Sequence, residues 1–319
     1  MTARSSERAR IEMLARVFGA ESSGRTVVGI GDDAAVIAPG KEPLVWTVDA
    51  QVEGIHFRRD LVSMADLGYR ATMAASSDLA AMGASPLGIL AGLVLPEYVT
   101  DEDLRAIAEG QHQAAKEVGT QIIGGNLARG REISITTTVL GETPRPLGRS
   151  GAKPGEVVAM AGPLGLSAAG LVLIERGRTE EADAAPAVRA YRRPVARIAA
   201  GLAARDVASA AIDVSDGLAR DVGHVARASG VLVVLDPAAL VTAELARASA
   251  LLGVDPLALA LHGGEDYAVV VTVPEGALPP GFKQIGKVVP AEGNTSGVAL
   301  ERENGTRIPL EERGYDHFG

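Results

Sequence analysis

Short apolar runs rich in β-branched residues alternate with longer Ala- and Leu-rich stretches of helical spacing throughout this chain. The alternation lies on both sides of one segment that has neither pattern. A period near 3.6 buries one stripe of a helix, and a short continuous apolar run fills a covered strand, so helices must pack on sheets. The dividing segment, residues 143–155, carries three prolines, three glycines and several basic residues. It reads as the boundary between an N-terminal domain, 1–142, and a C-terminal domain, 143–319. Two domains also suit 319 residues at roughly 100–200 residues per domain.

In the first half the spacing predicts helices over 7–18 and 63–82 and a third after Thr100. Ser63 caps the second, and Thr100 with Asp103 forms a capping box for the third. Strands are predicted over 44–49, 89–95, 121–123 and 133–140. In the second half strands are predicted over 157–161, 210–213, 231–235, 267–273 and 284–289, and helices over 166–174, 194–205 and 218–228. Both halves are therefore α/β or α+β. Aromatic residues are only 3% of the chain, and the apolar mass is Ala, Val, Leu and Ile, which suits close helix–sheet packing.

Charge and missing motifs narrow the function. A net charge of −9 argues against nucleic acid or an anionic membrane as partner. With no cysteine, thiolate metal sites and thiol catalysis are excluded. No apolar run reaches about 18 residues and the charged N-terminus has no apolar core, so neither a membrane span nor a signal peptide is expected. A cytoplasmic protein is expected. G-x-x-x-x-G-K-[ST], a strand-to-helix G-x-G-x-x-G, G-x-S-x-G and H-E-x-x-H are all absent. P-loop, Rossmann, serine-hydrolase and zincin readings therefore lose their support.

What remains is a series of acids beside glycines or at strand ends. Gly29-Ile30-Gly31-Asp32-Asp33 sets two carboxylates in one turn, either a solvated Asx turn or a pair compensated by a cation. Asp49 ends an apolar strand, as a cap or as a ligand at a strand's carboxyl end, and Glu53 and His56 follow in the loop. Asp78 lies inside a predicted helix among Ala and Ser, where a carboxylate is costly unless paired or metal-bound. Gly124-Gly125-Asn126 reads as a turn in which backbone approaches a phosphate, or as a plain turn. Asp213, Ser215 and Asp216 bracket a strand-to-helix junction, where carboxylates suit Mg²⁺ and the hydroxyl and N–H groups suit phosphate. One helix cap would explain one of these acids but not both. Gly263-Gly264-Glu265-Asp266-Tyr267 is a second acidic turn, for substrate, metal or only a hairpin, and Arg149 and Lys153 are natural phosphate partners.

In order, G-I-G-D-D-A-A-V, T-V-D, G-I-H-F, S-D-L-A-A-M-G-A, I-G-G-N, R-S-G-A-K-P-G, I-D-V-S-D-G-L, G-G-E-D-Y and G-Y-D-H-F run from Gly29 to Phe318. This series resembles the thiamine-monophosphate kinases of the aminoimidazole ribonucleotide synthetase-like superfamily. The resemblance implies two α/β domains, with the N-terminal domain pairing through its sheet in a homodimer. It implies direct transfer of the γ-phosphate of ATP to thiamine monophosphate, with several Mg²⁺ ions and no phosphoenzyme. Residue by residue, it implies Asp33, Thr47, Asp49, Asp78, Asp213 and Asp216 as magnesium ligands, with the backbone carbonyl of Val48. Gly125, Arg149 and Ser215 match ATP contacts, and His56, Glu265 and Tyr315 match thiamine-phosphate contacts. Asn126 stands where many relatives have Asp; it remains a candidate for metal and ATP but brings no charge. Val48 likewise replaces a hydroxyl residue. The G-I-H-F and G-Y-D-H-F segments favour the thiamine branch over another ATP-dependent activation, and the near-complete acid set disfavours a non-catalytic binding protein.

Overall fold

The computed structural model describes residues 6–19, 24–291 and 296–311. The chain divides into two compact units, Met1–Leu79 with Ser85–Pro144, and Ala80–Ala84 with Arg145–Gly319.

The first unit begins with helix α1 (Glu7–Phe18), capped by the Ser6 hydroxyl. A short ribbon follows, β1 (Thr26–Val28) with β2 (Val36–Ile37). Next come β3 (Leu44–Val52), α2 (Met64–Ala81), β4 (Ser85–Leu95), α3 (Asp101–Glu117), β5 (Ile122–Arg129) and β6 (Ser134–Glu142). The Ser63 hydroxyl accepts from the Asp66 N–H at the start of α2, and the Thr100–Asp103 capping box forms at α3. The sheet order is β3-β6-β4-β5, with β4 and β5 parallel and the other pairs antiparallel.

The side-chain period of two gives this sheet one covered and one open face. Ile135, Thr137 and Val139 of β6 are buried, beside Val45 and Gln51 of β3. Leu79 of α2 reaches Gly141 on this same face, so α2 covers it. On the open face Leu44, Trp46 and Val48 are 60%, 73% and 65% exposed.

The second unit contains β7 (Val157–Ala161), α4 (Leu166–Glu175), α5 (Ala185–Arg192), α6 (Ile198–Ala204), β8 (Ala210–Asp213), α7 (Leu218–Ser229) and β9 (Val231–Leu235). It continues with α8 (Pro237–Leu240), α9 (Ala243–Leu252), α10 (Pro256–His262), β10 (Val269–Val273), β11 (Lys283–Pro290), β12 (Gly297–Glu301) and β13 (Arg307–Pro309). Its seven-stranded sheet runs β13-β12-β9-β11-β7-β10-β8, antiparallel except for β12 with β9. One core joins the Val- and Ala-rich strands to α4, α5, α7 and α9.

Several sequence expectations are corrected. β5 runs six residues past Ile123, through Gly124-Gly125-Asn126, so that segment is strand and not a turn. Helix α6 starts at Ile198, because residues 194–197 are not helical. The strand expected from Tyr267 starts at Val269, since Tyr267 has a φ of 49°. The G-G-E-D-Y segment is no hairpin: it joins α10 to β10. Elements α5, α8, α9 and α10 and strands β1, β2, β12 and β13 were not anticipated. Among the described residues no single helix is long and apolar enough to cross a membrane.

Candidate active site

In the first unit, Thr47, Asp49 and Asp78 share the covered face of the sheet. Thr47 and Asp49 sit two residues apart on β3, opposite the buried Val139 and Thr137. The Thr47 hydroxyl donates to the Asp78 carboxylate in the last turn of α2. Asp78 is thus a paired, half-buried group, which is how a helix built of Ala and Ser tolerates it. One oxygen of Asp49 accepts the Ala50 N–H at 2.7 Å. Val48 points to the open face, leaving only its backbone as a ligand. Because β3 is an edge strand, alternate carbonyls along it stay outside the ladder.

Asp33, Gly125 and Asn126 come together elsewhere, in a cleft of about 900 Å³ between α1 and the sheet. Gly29, Gly31, Thr136 and Thr138 line it too. Asp32 accepts the Asp33 N–H at 2.8 Å, and both acids are exposed. Gly125 is required by strand spacing: a Cβ there would fall 2.0 Å from the Ala91 carbonyl oxygen of β4.

His56 sits in the tight loop after β3, where its Nδ1 accepts the Val52 N–H at 3.1 Å. That bond fixes the ring and leaves the neutral imidazole proton on Nε2. Neighbouring Glu53 is a brace for this loop. It accepts from the Tyr98 hydroxyl, from Arg59 Nε at 2.7 Å and from the Ile133 N–H at 3.0 Å. Burial pushes the Glu53 carboxyl up, but these donors together hold it below its usual range. Burial, and then the Glu53 charge, push the Tyr98 hydroxyl up to about 12.

In the second unit, Asp213 ends β8 and is buried, while Ser215 and Asp216 occupy the turn into α7. Neither Ser215 nor Asp216 caps that helix, so the plain-cap alternative for these residues is not what the structure contains. Asp221, inside the helix, instead braces the turn before it: one carboxylate oxygen accepts the N–H groups of Ser215, Asp216 and Gly217 at 3.0, 3.0 and 3.2 Å. These N–H groups are therefore taken, and are not a phosphate cradle. Asp216 makes a loose pair with Arg220 at 3.7 Å. Burial first, and the charges of Asp213 and Asp216 with it, push Asp221 up to about 7.

Glu265 lies against the same turn, its N–H donating to the Ser215 carbonyl at 2.7 Å. Its φ is 60°, a strained value for a residue with a side chain. Beside it, buried Asp266 accepts the N–H groups of Gly165 and Ser167, at 2.6 and 3.2 Å, at the start of α4. Burial pushes Asp266 up to about 7. Arg149 is exposed, and its charge, after burial, helps to lower the His224 pKa. Tyr315 lies outside the described residues.

The structure therefore pairs Thr47 with Asp78, gathers Asp33, Gly125 and Asn126 in one cleft, and joins Ser215, Asp216 and Glu265 at one turn. Among the described residues no three carboxylates or imidazoles form a ready metal cluster. Sequence reasoning missed Asp221 and the cap made by Asp266. The available signal was an Asp in the apolar stretch L-A-R-D-V-G, where a solvated face would not place it.

The family model for the N-terminal domain of AIR synthase related proteins matches residues 31–143, and that for the C-terminal domain matches residues 153–296. A thiamine-monophosphate kinase of Salmonella typhimurium is 40% identical, over 96% of this chain and 97% of its own. The chain belongs to the thiamine-monophosphate kinase family. A solved thiamine-monophosphate kinase from Stenotrophomonas maltophilia superposes with a TM-score of 0.80 at 31% identity, covering 92% of this chain and 95% of its own. Another, AaThiL complexed with AMPPCP and TMP, superposes with a TM-score of 0.81 at 31% identity over 100% of both chains. The α/β fold expected from the motifs is thus the fold of the thiamine-monophosphate kinases, and the chain is an enzyme of that class.

Proposed function

We propose that this chain transfers the γ-phosphate of ATP to thiamine monophosphate, giving thiamine diphosphate and ADP. The observation that carries the reading is identity of 40% with a thiamine-monophosphate kinase over nearly the full length of both chains. The paired and clustered acids support it.

The donor set fits magnesium. Every candidate ligand is oxygen: the carboxylates of Asp33, Asp49, Asp78, Asp213 and Asp216, the Thr47 hydroxyl, the Val48 carbonyl and the Asn126 amide. Mg²⁺ is usually held by one or two carboxylates completed by phosphate oxygens and water, so separate acid pairs suffice. Bound magnesium would screen the two phosphates and stabilise charge in an in-line displacement. The protein's residues supply the positioning. Thr47 orients Asp78 by its hydroxyl, and Asp221 holds the backbone N–H of Asp216. Gly125 and Asn126, in the Asp33 cleft, together with Arg149 and Ser215, are proposed contacts for ATP. No side chain need remove a proton, because a phosphate monoester is largely deprotonated at neutral pH.

His56, Glu265 and Tyr315 are proposed contacts for thiamine monophosphate. The ring of His56 presents an Nε2–H donor suited to phosphate, and Glu265 brings a negative charge suited to the thiazolium cation. The exposed Leu44, Trp46 and Val48 on one sheet face support pairing of two copies there. Both substrates are water-soluble phosphates, and we place the reaction in the cytoplasm. Incubation with ATP, Mg²⁺ and thiamine monophosphate, followed by mass spectrometry, tests the reading. Thiamine diphosphate should appear with ADP, and its absence would overturn it.

A further inference from the structure

We infer that Asp221 is a positioning residue for metal binding, an internal carboxyl group that holds the backbone of the β8–α7 junction so that Asp213 and Asp216 are presented to a cation. A strand-to-helix turn with free N–H groups ordinarily attracts a phosphate. Here three consecutive N–H groups converge instead on one oxygen of Asp221, a side chain only 3% exposed. The N–H groups of Ser215, Asp216 and Gly217 are therefore closed to an outside phosphate. The same bonds hold the backbone that carries Ser215 and Asp216, and the Asp216 carboxylate makes one loose arginine contact. Asp213, one residue before the turn's Val214, is fixed at the end of a four-residue strand.

The turn is locked from its other side as well. Val214 exchanges backbone bonds with Ala268 and Tyr267, and the Ser215 carbonyl accepts from Glu265. Gly217 has a φ of 124°, and a Cβ there would lie 3.1 Å from the His262 backbone. Supporting groups that orient metal ligands usually contribute 10- to 100-fold in affinity, and Asp221 is placed to do so for Asp213 and Asp216.

This inference rests on the kinase reading, and the test separates the two. Binding of Mg²⁺–AMPPCP is measured by calorimetry on the full chain, and the magnesium dependence of turnover is followed alongside. In D221A the Mg²⁺–AMPPCP affinity should fall about 10-fold or more. The magnesium midpoint should rise in parallel, with the KM for thiamine monophosphate unchanged. D221N keeps a neutral oxygen to accept the N–H groups and should lose only about threefold, a partial rescue. A wild-type affinity in folded D221A overturns the inference while leaving the kinase reading intact, as does a loss of kcat alone with an unmoved magnesium midpoint. Should D221A not fold, unchanged affinity in D221N overturns it equally. A wild-type chain that makes no thiamine diphosphate would instead sink the kinase reading.

Discussion

Thr47 on β3 donates its hydroxyl to the carboxylate of Asp78 on α2, tying a strand of the first sheet to the helix that covers it. The pairing accounts for an acid in the last turn of a helix, and it aims one carboxylate oxygen along the covered face of the sheet. Asp78→Asn keeps the size and the bond from Thr47 but removes the charge. Turnover should fall about 100-fold or more, with the thermal midpoint nearly unmoved. Normal turnover at saturating magnesium would remove Asp78 from the metal set.

Asn126 lines the same cleft as Asp33 and Gly125 but brings no charge to it. Asn126→Asp should lower the magnesium concentration for half-maximal rate by roughly three- to tenfold, since ligand charge sets affinity for hard cations. A magnesium titration of the two proteins checks this. An unchanged midpoint would place Asn126 outside the metal's reach.

Asp266 gives the clearest pH signature for stability. Burial raises its carboxyl from 3.8 to about 7 in the folded chain, despite two helix N–H donors. Between those values the folded state holds the proton more tightly than the unfolded state. The group's contribution is therefore complete below about pH 4 and is lost as pH rises through about 7. Measured against Asp266→Asn, the wild type should gain stability as pH falls across that window, by up to ~1.4 kcal/mol per pH unit. Denaturant unfolding at several pH values reads the difference. A difference independent of pH would contradict the shift.

Trp46 is 73% exposed on the open face of β3, between Leu44 and Val48. Trp46→Asp should convert a dimer to a monomer, as read by light scattering. A wild-type monomer, or a dimer unaffected by the change, would move the interface elsewhere.

Much of the second unit's core was legible in the sequence, because its strands are short continuous Val- and Ala-rich runs bounded by turn residues. Caps carried by side chains, at Ser63 and Thr100, were equally readable. Gly124-Gly125 misled because paired glycines usually mark turns. Here Gly125 is demanded by the distance between two neighbouring strands, which depends on a partner 34 positions away. Helices α9 and α10 do carry readable end signals, a Thr242 cap with Gly253 for the first and Asp255-Pro256 for the second. Asp221 was hidden for a different reason. Its partners are backbone N–H groups, which every sequence has, so only the fold reveals that three of them meet one carboxylate.

The central claim is tested most directly by incubating the purified chain with ATP, Mg²⁺ and thiamine monophosphate and weighing the products by mass spectrometry. Thiamine diphosphate formed in step with ADP is the predicted result. ADP without thiamine diphosphate, or no consumption of ATP, would contradict it.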